Sequence, residues 1–238
     1  MSTARQAKTR LRAHVSRERA LGAKRFFKTA RGEYGYGDRF IGVTVPDIRR
    51  VAREFSDLPE REVEGLLSSG IHEERSLALI ILVNRFEHAD EKTRGVLFAL
   101  YLSLRSYVNN WDLVDISAAR ILGEHARQNV GAYKLLQDYA RKGTLWERRM
   151  AVVATHAFIK NGSSKEIFSI ARILMHDSED LIQKAVGWML REVGKNISLT
   201  ELECFLDENA SVMPRTMLRY ALEHMSAVKK SAYMKHTR

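Results

Sequence analysis

The stretch that decides the fold is "NWDLVDISAARILGEHA", residues 110–126. Within it, apolar side chains recur at three- and four-residue spacing, which is typical of the buried face of an α-helix. The same spacing recurs in one segment after another from residue 46 onward, with short breaks between segments. Strand patterns are nearly absent. The sequence therefore predicts an all-α protein.

The boundaries of the predicted helices follow from the periodicity and from proline and capping residues. Pro46, Pro59 and Pro214 are each predicted to open a helix, because the fixed φ of proline suits the first helical turn. Ser198 and Glu201 have the spacing of a capping box. The predicted helices span residues 4–13, 17–29, 46–57, 59–68, 73–86, 90–104, 112–127, 130–142, 146–160, 164–176, 179–194, 198–209, 214–224 and 227–235.

A weak internal repeat connects four of these helices. "EERSLALIIL", "WERRMAVVAT", "IQKAVGWMLR" and "PRTMLRYALE" each place a polar or basic turn before small and apolar residues. Their spacing falls in the range of about 30 to 47 residues that is typical of HEAT-like helical pairs. We therefore expect a right-handed α-solenoid of about six repeats with a concave face. We expect one domain over residues 1–238, with a core at about 17–235 and a basic N-terminal helix or arm at 1–16.

Positive charge is concentrated at the two ends of the chain. The net charge is +10, and residues 1–53 contain 14 Lys and Arg against 4 Asp and Glu. Residues 54–210 contain 19 basic and 24 acidic residues, and residues 211–238 contain 6 and 1. Localised positive charge favours a polyanionic partner, because phosphate contacts release counterions. The alternative is that the basic termini are simply solvated, and residues 1–31 fit either description equally.

Several classes of protein are disfavoured. The single cysteine, Cys204, excludes a disulfide framework, and we expect it to be buried as a small apolar residue. No apolar run approaches a membrane span, and the N-terminus lacks the apolar core of a secretory signal. We therefore expect a cytoplasmic protein, associated with the nucleoid through DNA binding.

Metal, nucleotide and serine-hydrolase motifs are missing as well. The eight histidines show no HxxxH pairing, so no metal and no cofactor are expected. There is no GxxxxGK[ST] loop and no GxSxG elbow. The histidines are His14, His72, His88, His125, His156, His176, His224 and His236.

The tryptophans are the most informative residues for function. Trp111 precedes Asp115 by one helical turn and on the same face, and Trp188 precedes Arg191 by three residues. Tryptophan ordinarily fills a core, which is our expectation for Trp146. The charged neighbours of Trp111 and Trp188 disfavour full burial, since an unpaired buried carboxylate is costly. Asp112 is explained by the helix dipole, whereas Asp115 lies a full turn inside the helix, where capping does not require it.

A carboxylate beside an indole suits chemistry at a cationic nucleotide. When a DNA base is alkylated and positively charged, it departs as a neutral leaving group and no general acid is needed. A carboxylate can then stabilise the cationic sugar and place water opposite the departing base. An indole face adds cation–π stabilisation of about 0.5 to 2 kcal/mol.

The motifs that carry this pattern resemble a known family. "NNWDLVDISAARILG", "LWERRMAVV", "LIQKAVGWMLREVGK", "MPRTMLRYALE" and "FIGVTVPDIRRVARE" are similar to the AlkD-like DNA alkylation repair proteins over about residues 20–225. The resemblance implies a HEAT-like solenoid that cradles duplex DNA. It also implies a monofunctional glycosylase that excises 3-methyladenine and 7-methylguanine without drawing the base into a tight pocket. We expect the protein to be a monomer.

The resemblance also assigns roles to single residues. It implies that Asp115 is the catalytic carboxylate and that Trp111 and Trp188 contact the deoxyribose of the lesion. It implies that Arg149 and Arg191 bind the DNA backbone. The remaining candidate DNA contacts are Arg148, Lys184, Thr44 and Phe26.

The sequence departs from some relatives at the candidate contacts, and other functions stay open. Asn109 and Asn110 precede a single tryptophan, Phe26 stands where some relatives have tyrosine, and Thr44 occupies a loop position that is more polar in some members. These differences concern lesion preference more than activity. The alternative functions are a non-catalytic helical scaffold that binds nucleic acid or an acidic protein and, more weakly supported, an RNA-binding repeat protein.

Overall fold

The computed structural model describes residues 2–235, so that Met1 and residues 236–238, including His236, lie outside the description. The helices are α1 (Ala4–Arg12), α2 (Arg17–Phe26), α3 (Val45–Glu54), α4 (Glu60–Leu67), α5 (His72–His88), α6 (Glu91–Ser103), α7 (Trp111–Ser117), α8 (Glu124–Gln128), α9 (Val130–Lys142), α10 (Leu145–Lys160), α11 (Lys165–Ile173), α12 (Asp180–Asn196), α13 (Leu199–Asn209), α14 (Arg215–Ala221) and α15 (Ala227–Lys235). A 3₁₀ turn spans Arg105–Tyr107 and a π-helical turn spans Ala119–Gly123. Within residues 2–235 the only β pairing is an isolated bridge between Arg39 and Ile71. The all-α prediction is confirmed.

The chain forms two compact units, which are described separately: a first unit, residues 1–117, and a second unit, residues 118–238. In the first unit α3 packs against α5, and α5 packs against α7. In the second unit the π-helical turn packs against α10, α10 against α12, and α12 against α14. In both units the α-helices of this series each pack against the α-helix next but one along the chain. The prediction of a single domain stays a prediction.

Helix starts follow the predicted signals with small shifts. Pro46 lies in the first turn of α3, whereas Pro59 and Pro214 each stand immediately before the helix that they were expected to open. Ser198 caps α13 by accepting a hydrogen bond from the backbone N of Glu201, at 3.2 Å. The Glu201 carboxylate is engaged elsewhere, because Ser164 Oγ donates to it at 2.5 Å.

Two predicted helices are shorter or less regular than expected. Helix 17–29 ends at Phe26, because the chain turns at Lys28, whose φ is 50°. The predicted helix 112–127 is interrupted by the π-helical turn, in which Gly123 N donates to Ala118 O at 2.9 Å, five residues earlier. A Cβ on Gly123 would lie 2.3 Å from Ala154 O. The wider turn and the missing side chain allow the close packing of this segment on α10.

One burial expectation was wrong. Cys204 is exposed, because the buried face of α13 is formed by Leu202, Phe205 and Leu206 and Cys204 lies on another side of the helix. Trp146 lies in the first turn of α10 and is partly exposed, and its packing role between helices stays a prediction.

The start of α5 anchors its surroundings in the first unit through buried acids. Glu73 accepts hydrogen bonds from Ile41 N at 3.1 Å and from Gly42 N at 2.7 Å. Gly42 has a φ of 77°, and a Cβ there would lie 2.1 Å from Ser16 O, so glycine is required. Residues 32–42 form a glycine-rich segment. Because the two backbone bonds to Glu73 fix the end of this segment, it follows a defined path beside α5.

The acid that follows Glu73 binds α1. Glu74 is almost fully buried and forms ion pairs with Lys8 at 3.0 Å and Arg12 at 3.1 Å. It also accepts a hydrogen bond from Ser69 Oγ at 2.6 Å. Residues 2–16 of the basic N-terminal segment are therefore partly helical and docked within the first unit through α1. In residues 2–235, no helix combines the length and the apolarity that crossing a bilayer requires.

Candidate functional site

A buried polar cluster holds the start of α7 in the first unit. Asp38 is its centre: Arg75 Nη2 donates to its Oδ1 at 2.5 Å, and Asn110 Nδ2 donates to its Oδ2 at 2.9 Å. His72 Nδ1 lies 3.2 Å from Asp38 Oδ2, and His72 Nε2 lies 2.7 Å from Asp112 Oδ2. We call Asp38, His72, Arg75, Asn110 and Asp112 the anchor cluster. It joins the glycine-rich segment, α5 and α7.

The charges of the anchor cluster support one another. Burial alone would raise the pKa of Asp38, but the hydrogen bond from His72 and the Arg75 charge hold that pKa at about 2. Burial alone would lower the pKa of His72, but its bonds to Asp112 and Asp38 outweigh burial and raise that pKa. A protonated His72 donates from both ring nitrogens, one to each carboxylate. With His72 protonated, which the raised pKa favours, the cluster contains two cations and two anions.

This cluster fixes the orientation of Trp111. The backbone N of Trp111 donates to Asn110 Oδ1 at 2.8 Å, and Asn110 is fully buried. The Trp111 ring stacks on Phe27, with centroids 5.3 Å apart and planes at 21°, and meets the edge of Phe26 at 5.7 Å. Phe27 also stacks on Phe40 at 4.9 Å. The indole is thus backed by a column of aromatic rings.

Two candidate site residues lie at the open side of this arrangement. Phe26 is 65% exposed, so it leaves an aromatic surface beside Trp111. Asp115 lies one turn after Trp111 on α7, on the same helix face, and is partly exposed. The structure therefore places Phe26 against Trp111, with Asp115 one helical turn further along the same face of α7.

In the second unit, Trp188 is held through its ring nitrogen. Trp188 Nε1 donates to Glu192 Oε1 at 3.1 Å, and Arg191 Nη2 donates to the same oxygen at 2.9 Å. Asn196 Nδ2 donates to Glu192 Oε2 at 2.9 Å. Burial raises the pKa of Glu192, but the bonds from Arg191 and Asn196 more than offset it, and the pKa is lowered. Arg191 is also paired with Glu223.

The tryptophan helix also packs unusually closely on its neighbour in the second unit. A Cβ on Gly187, the residue before Trp188, would lie 2.3 Å from Met217 O. On the other side of the indole, the ring of His156 is 6.4 Å away. Burial and nearby Lys160 lower the pKa of His156, so its imidazole stays neutral.

The predicted phosphate-binding arginines already have acceptors within the second unit. Arg149 is only 5% exposed, and its Nη1 donates to Leu181 O at 2.8 Å. Arg148 forms an ion pair with Asp177 at 2.7 Å. A structural role therefore accompanies any contact that these two side chains make with DNA.

The last two candidate contacts also have partners on their own helices. Lys184 lies 2.6 Å from Asp180, one turn earlier on α12. Thr44 caps α3, and its Oγ1 donates to Asp47 Oδ2 at 2.6 Å. Thr44 thus belongs to the first unit and Lys184 to the second.

Sequence reasoning missed most of the anchor cluster. Asp112 was explained by the helix dipole, and its Oδ1 does accept from Leu113 N at 2.9 Å, but its Oδ2 binds His72. Asp38, His72 and Arg75 carried no predicted role. The bonds join residues 34 to 72 positions apart, so no local pattern indicates them. Within residues 2–235, no group of three His, Cys, Asp or Glu side chains has the arrangement of a metal site.

These features define a basic, all-helical protein with an indole and a carboxylate on one helix face, set by a buried ionic cluster. The chain belongs to a family described as DNA alkylation repair enzymes, whose model matches residues 7–225. Family membership implies DNA as the partner and a role in alkylation repair.

Comparison with solved structures shows the same fold. A protein from Enterococcus faecalis, described as a predicted DNA alkylation repair enzyme, is similar with a TM-score of 0.70 and 16% sequence identity. The match covers 90% of this chain and 98% of that one. Comparison with curated proteins finds no match. The family resemblance found in the sequence is confirmed.

Proposed function

We propose that this protein is a monofunctional DNA glycosylase that hydrolyses the N-glycosidic bond of cationic alkylated purines, such as 3-methyladenine and 7-methylguanine, in duplex DNA. The observation that carries the proposal is that Trp111 and Asp115 lie one turn apart on one face of α7, in a chain that matches the alkylation repair family over most of its length. The substrate class follows from the chemistry of this pair.

In this proposal Asp115 acts on the sugar. A positively charged base leaves as a neutral molecule, so the barrier lies in the positive charge that develops on the deoxyribose. A carboxylate close to that sugar stabilises the charge and orients the attacking water. Asp115 is partly exposed and therefore accessible to a nucleotide.

The indole of Trp111 adds to the same stabilisation. Its ring is fixed by Asn110, Phe27 and the anchor cluster, so little conformational freedom is lost when DNA binds. Trp188 supplies a second indole in the proposed mechanism. The hydrogen bond from its Nε1 to Glu192 holds this ring in place, and its π face is the part that we propose contacts the cationic sugar.

Backbone phosphates are assigned to the cationic side chains. Arg149 and Arg191 are the principal phosphate contacts in the proposal. The other proposed DNA contacts are Arg148, Lys184, Thr44 and Phe26, of which the last two are uncharged. Arg191 exchanges its bond to Glu223 for a phosphate oxygen, because Glu223 is about half exposed and readily solvated. Two parallel N–H bonds from one guanidinium make such a contact specific in orientation.

The architecture that we propose for this function is a right-handed HEAT-like solenoid of about six repeats forming one domain. The packing of every second helix within each unit supports it. We further propose that the protein acts as a monomer on nucleoid DNA in the cytoplasm, with neither metal nor cofactor.

The test is single-turnover base release from a duplex containing one 7-methylguanine. For Asp115→Asn we expect a fall of about 10²- to 10³-fold in the release rate, as for the loss of one preorganised electrostatic group. Folding and duplex affinity should be retained. The matched control is Asp138→Asn, since Asp138 is an exposed acid on α9. An unchanged rate for Asp115→Asn would exclude Asp115 from the mechanism.

The alternative is a non-catalytic scaffold, and one observation favours it: Arg149 and Arg191 both engage acceptors of the chain itself. Mass spectrometry of the supernatant after incubation with methylated DNA separates the two functions. A glycosylase releases free 3-methyladenine or 7-methylguanine, whereas a scaffold protects or retains the DNA without releasing a base.

A further inference from the structure

A second cationic site lies in the first unit, at the opposite end of α5 from the anchor cluster. It is a cavity of about 510 Å³ between α3 and the second half of α5. Its lining includes three arginines, a histidine and an amide, and no carboxylate contributes to it. The lining residues are Arg49, Arg53, Ser56, Ile80, Asn84, Arg85 and His88.

Two of the arginines are uncompensated. Arg49 and Arg53 are one turn apart on α3, both are exposed, and within residues 2–235 neither forms an ion pair. The acids of the same helix are engaged elsewhere: Asp47 pairs with Arg50 at 3.1 Å, and Glu54 pairs with Arg10 at 2.7 Å. Two positive charges therefore face the cavity without a neutralising partner.

The third arginine is positioned by the backbone. Arg85 Nε donates to Ser56 O at 2.7 Å, and its Nη2 donates to Leu58 O. Burial lowers the pKa of Arg85, and the charges of Glu60 and Asp57 only partly offset this effect. Neutral carbonyls orient this guanidinium but do not cancel its charge.

The histidine and the amide extend the set of polar groups. His88 Nδ1 donates to Asn84 O at 2.7 Å, because a carbonyl oxygen only accepts. This bond fixes the ring and leaves Nε2 for another partner. The amide group of Asn84 can donate as well. Ile80, at 5% exposure, closes the floor of the cavity.

We propose that this cavity is a binding site for phosphate oxyanions, supplied either by free pyrophosphate or by the phosphates of a polynucleotide backbone. Guanidinium groups bind phosphate oxygens through paired N–H donors, and a cluster without carboxylates does not repel the anion. The volume lies within the range of about 300 to 1,000 Å³ that is usual for small-ligand sites.

The site is distinct from the residues assigned to base release. Asn84 follows His72 by twelve residues on the same helix, which corresponds to about 18 Å along its axis. The α5 side chains of the anchor cluster are at the first turn of that helix, whereas the α5 side chains that line the cavity are in its second half. The inference therefore holds whether or not the protein is a glycosylase.

The test uses the full chain and two probes, inorganic pyrophosphate and an undamaged DNA duplex, with affinities measured by calorimetry and fluorescence anisotropy. The variant is Arg49→Gln/Arg53→Gln, and its control is Arg61→Gln/Lys92→Gln, which removes two exposed positive charges of α4 and α6 outside the cavity. We expect the variant to bind at least one probe about tenfold more weakly, and the control to bind like the wild type.

The pattern of losses identifies the source of the phosphate. Weaker binding of pyrophosphate alone indicates a free anion, and weaker binding of the duplex indicates a backbone phosphate. Equal losses in variant and control, or no loss for either probe, would overturn the proposal. In the wild-type chain, the Nε–H NMR signals of Arg49, Arg53 and Arg85 should shift with pyrophosphate, and unshifted signals at saturation would overturn the free-anion form.

Discussion

Trp111 and Trp188 are held in contrasting ways. Trp111 is oriented from its backbone side, through Asn110 and the anchor cluster, and its ring is stacked on Phe27. Trp188 is oriented at its ring edge, through the bond from Nε1 to Glu192. The first arrangement depends on a buried set of charges from three segments. The second depends on α12 residues, with Glu223 paired to Arg191 from outside that helix.

This difference predicts which substitutions should disturb the environment of each tryptophan. Removing one charge from the anchor cluster leaves other buried charges without a partner, and the cost is large. Glu192 is joined to Arg191, and Arg191 retains Glu223 when Glu192 is neutralised. Trp111 should therefore be sensitive to charge and pH, and Trp188 much less so.

The largest expected effect is that of Asp38→Asn. The substitution leaves Arg75 and His72 buried without their shared carboxylate, and we expect a loss of about 3 kcal/mol or more in the free energy of unfolding. Urea unfolding measures it. The control is Asp207→Asn. Asp207 is exposed and its carboxylate accepts a hydrogen bond from Tyr233 Oη at 2.7 Å, so its loss should cost about 1 kcal/mol or less. Equal costs would refute the special role of the anchor cluster.

In the wild type, lowering the pH should reproduce part of this loss of unfolding free energy. The pKa of Asp38 is about 2 in the folded chain, against about 3.9 when unfolded. Its contribution is therefore present above about pH 4 and disappears as the pH falls toward 2. In Asp38→Asn that part of the acid dependence should be missing.

The next largest effect is on the free energy of unfolding as the pH rises, and we expect His72 to cause it. Because its folded pKa is raised, His72 stabilises the fold fully below the unfolded value of about 6.5, and the contribution is lost as the pH rises through the folded pKa. The difference in unfolding free energy between wild type and His72→Gln should shrink with rising pH. A difference that stays constant from pH 5 to 10 would show that His72 is not protonated in the cluster.

A smaller effect is expected for Glu192→Gln. The amide oxygen can still accept from Trp188 Nε1, while the charge interaction with Arg191 is lost and Glu223 remains. We expect about 1 kcal/mol of destabilisation and an unchanged environment of Trp188, observed by ¹⁹F NMR of fluorotryptophan. A shift at Trp188 as large as that caused at Trp111 by Asp38→Asn would remove the contrast between the two sites.

The smallest effect on stability is expected for Phe26→Ala. Its ring is 65% exposed and touches Trp111 only at an edge, so the change should stay within about 0.5 kcal/mol. Phe27→Ala, which removes stacking on both Trp111 and Phe40, should cost about 2 kcal/mol or more. If Phe26→Ala weakens duplex binding at unchanged stability, the exposed ring contacts DNA.

Local patterns predicted the elements of this fold well. The apolar spacing of "SLALIIL" and "AVVATHAFI" places α5 and α10 where the structure has them, because a helical face is encoded by neighbours three and four residues apart. The same reasoning placed Trp111 and Asp115 on one face of α7. It failed at Cys204, where an apolar residue type was mistaken for a buried position.

Long-range electrostatics could not be predicted in this way. The sequence by itself determined an all-helical chain, the approximate positions of most helices and the family motifs, since each of these depends on residues close together in the chain. Only the tertiary structure decided that His72 joins Asp38 to Asp112, that residues 119–123 form a π-helical turn, and that Arg49, Arg53 and Arg85 share one cavity. The physical reason is that folding brings together charges from segments distant in sequence, and no local spacing encodes which of them will meet.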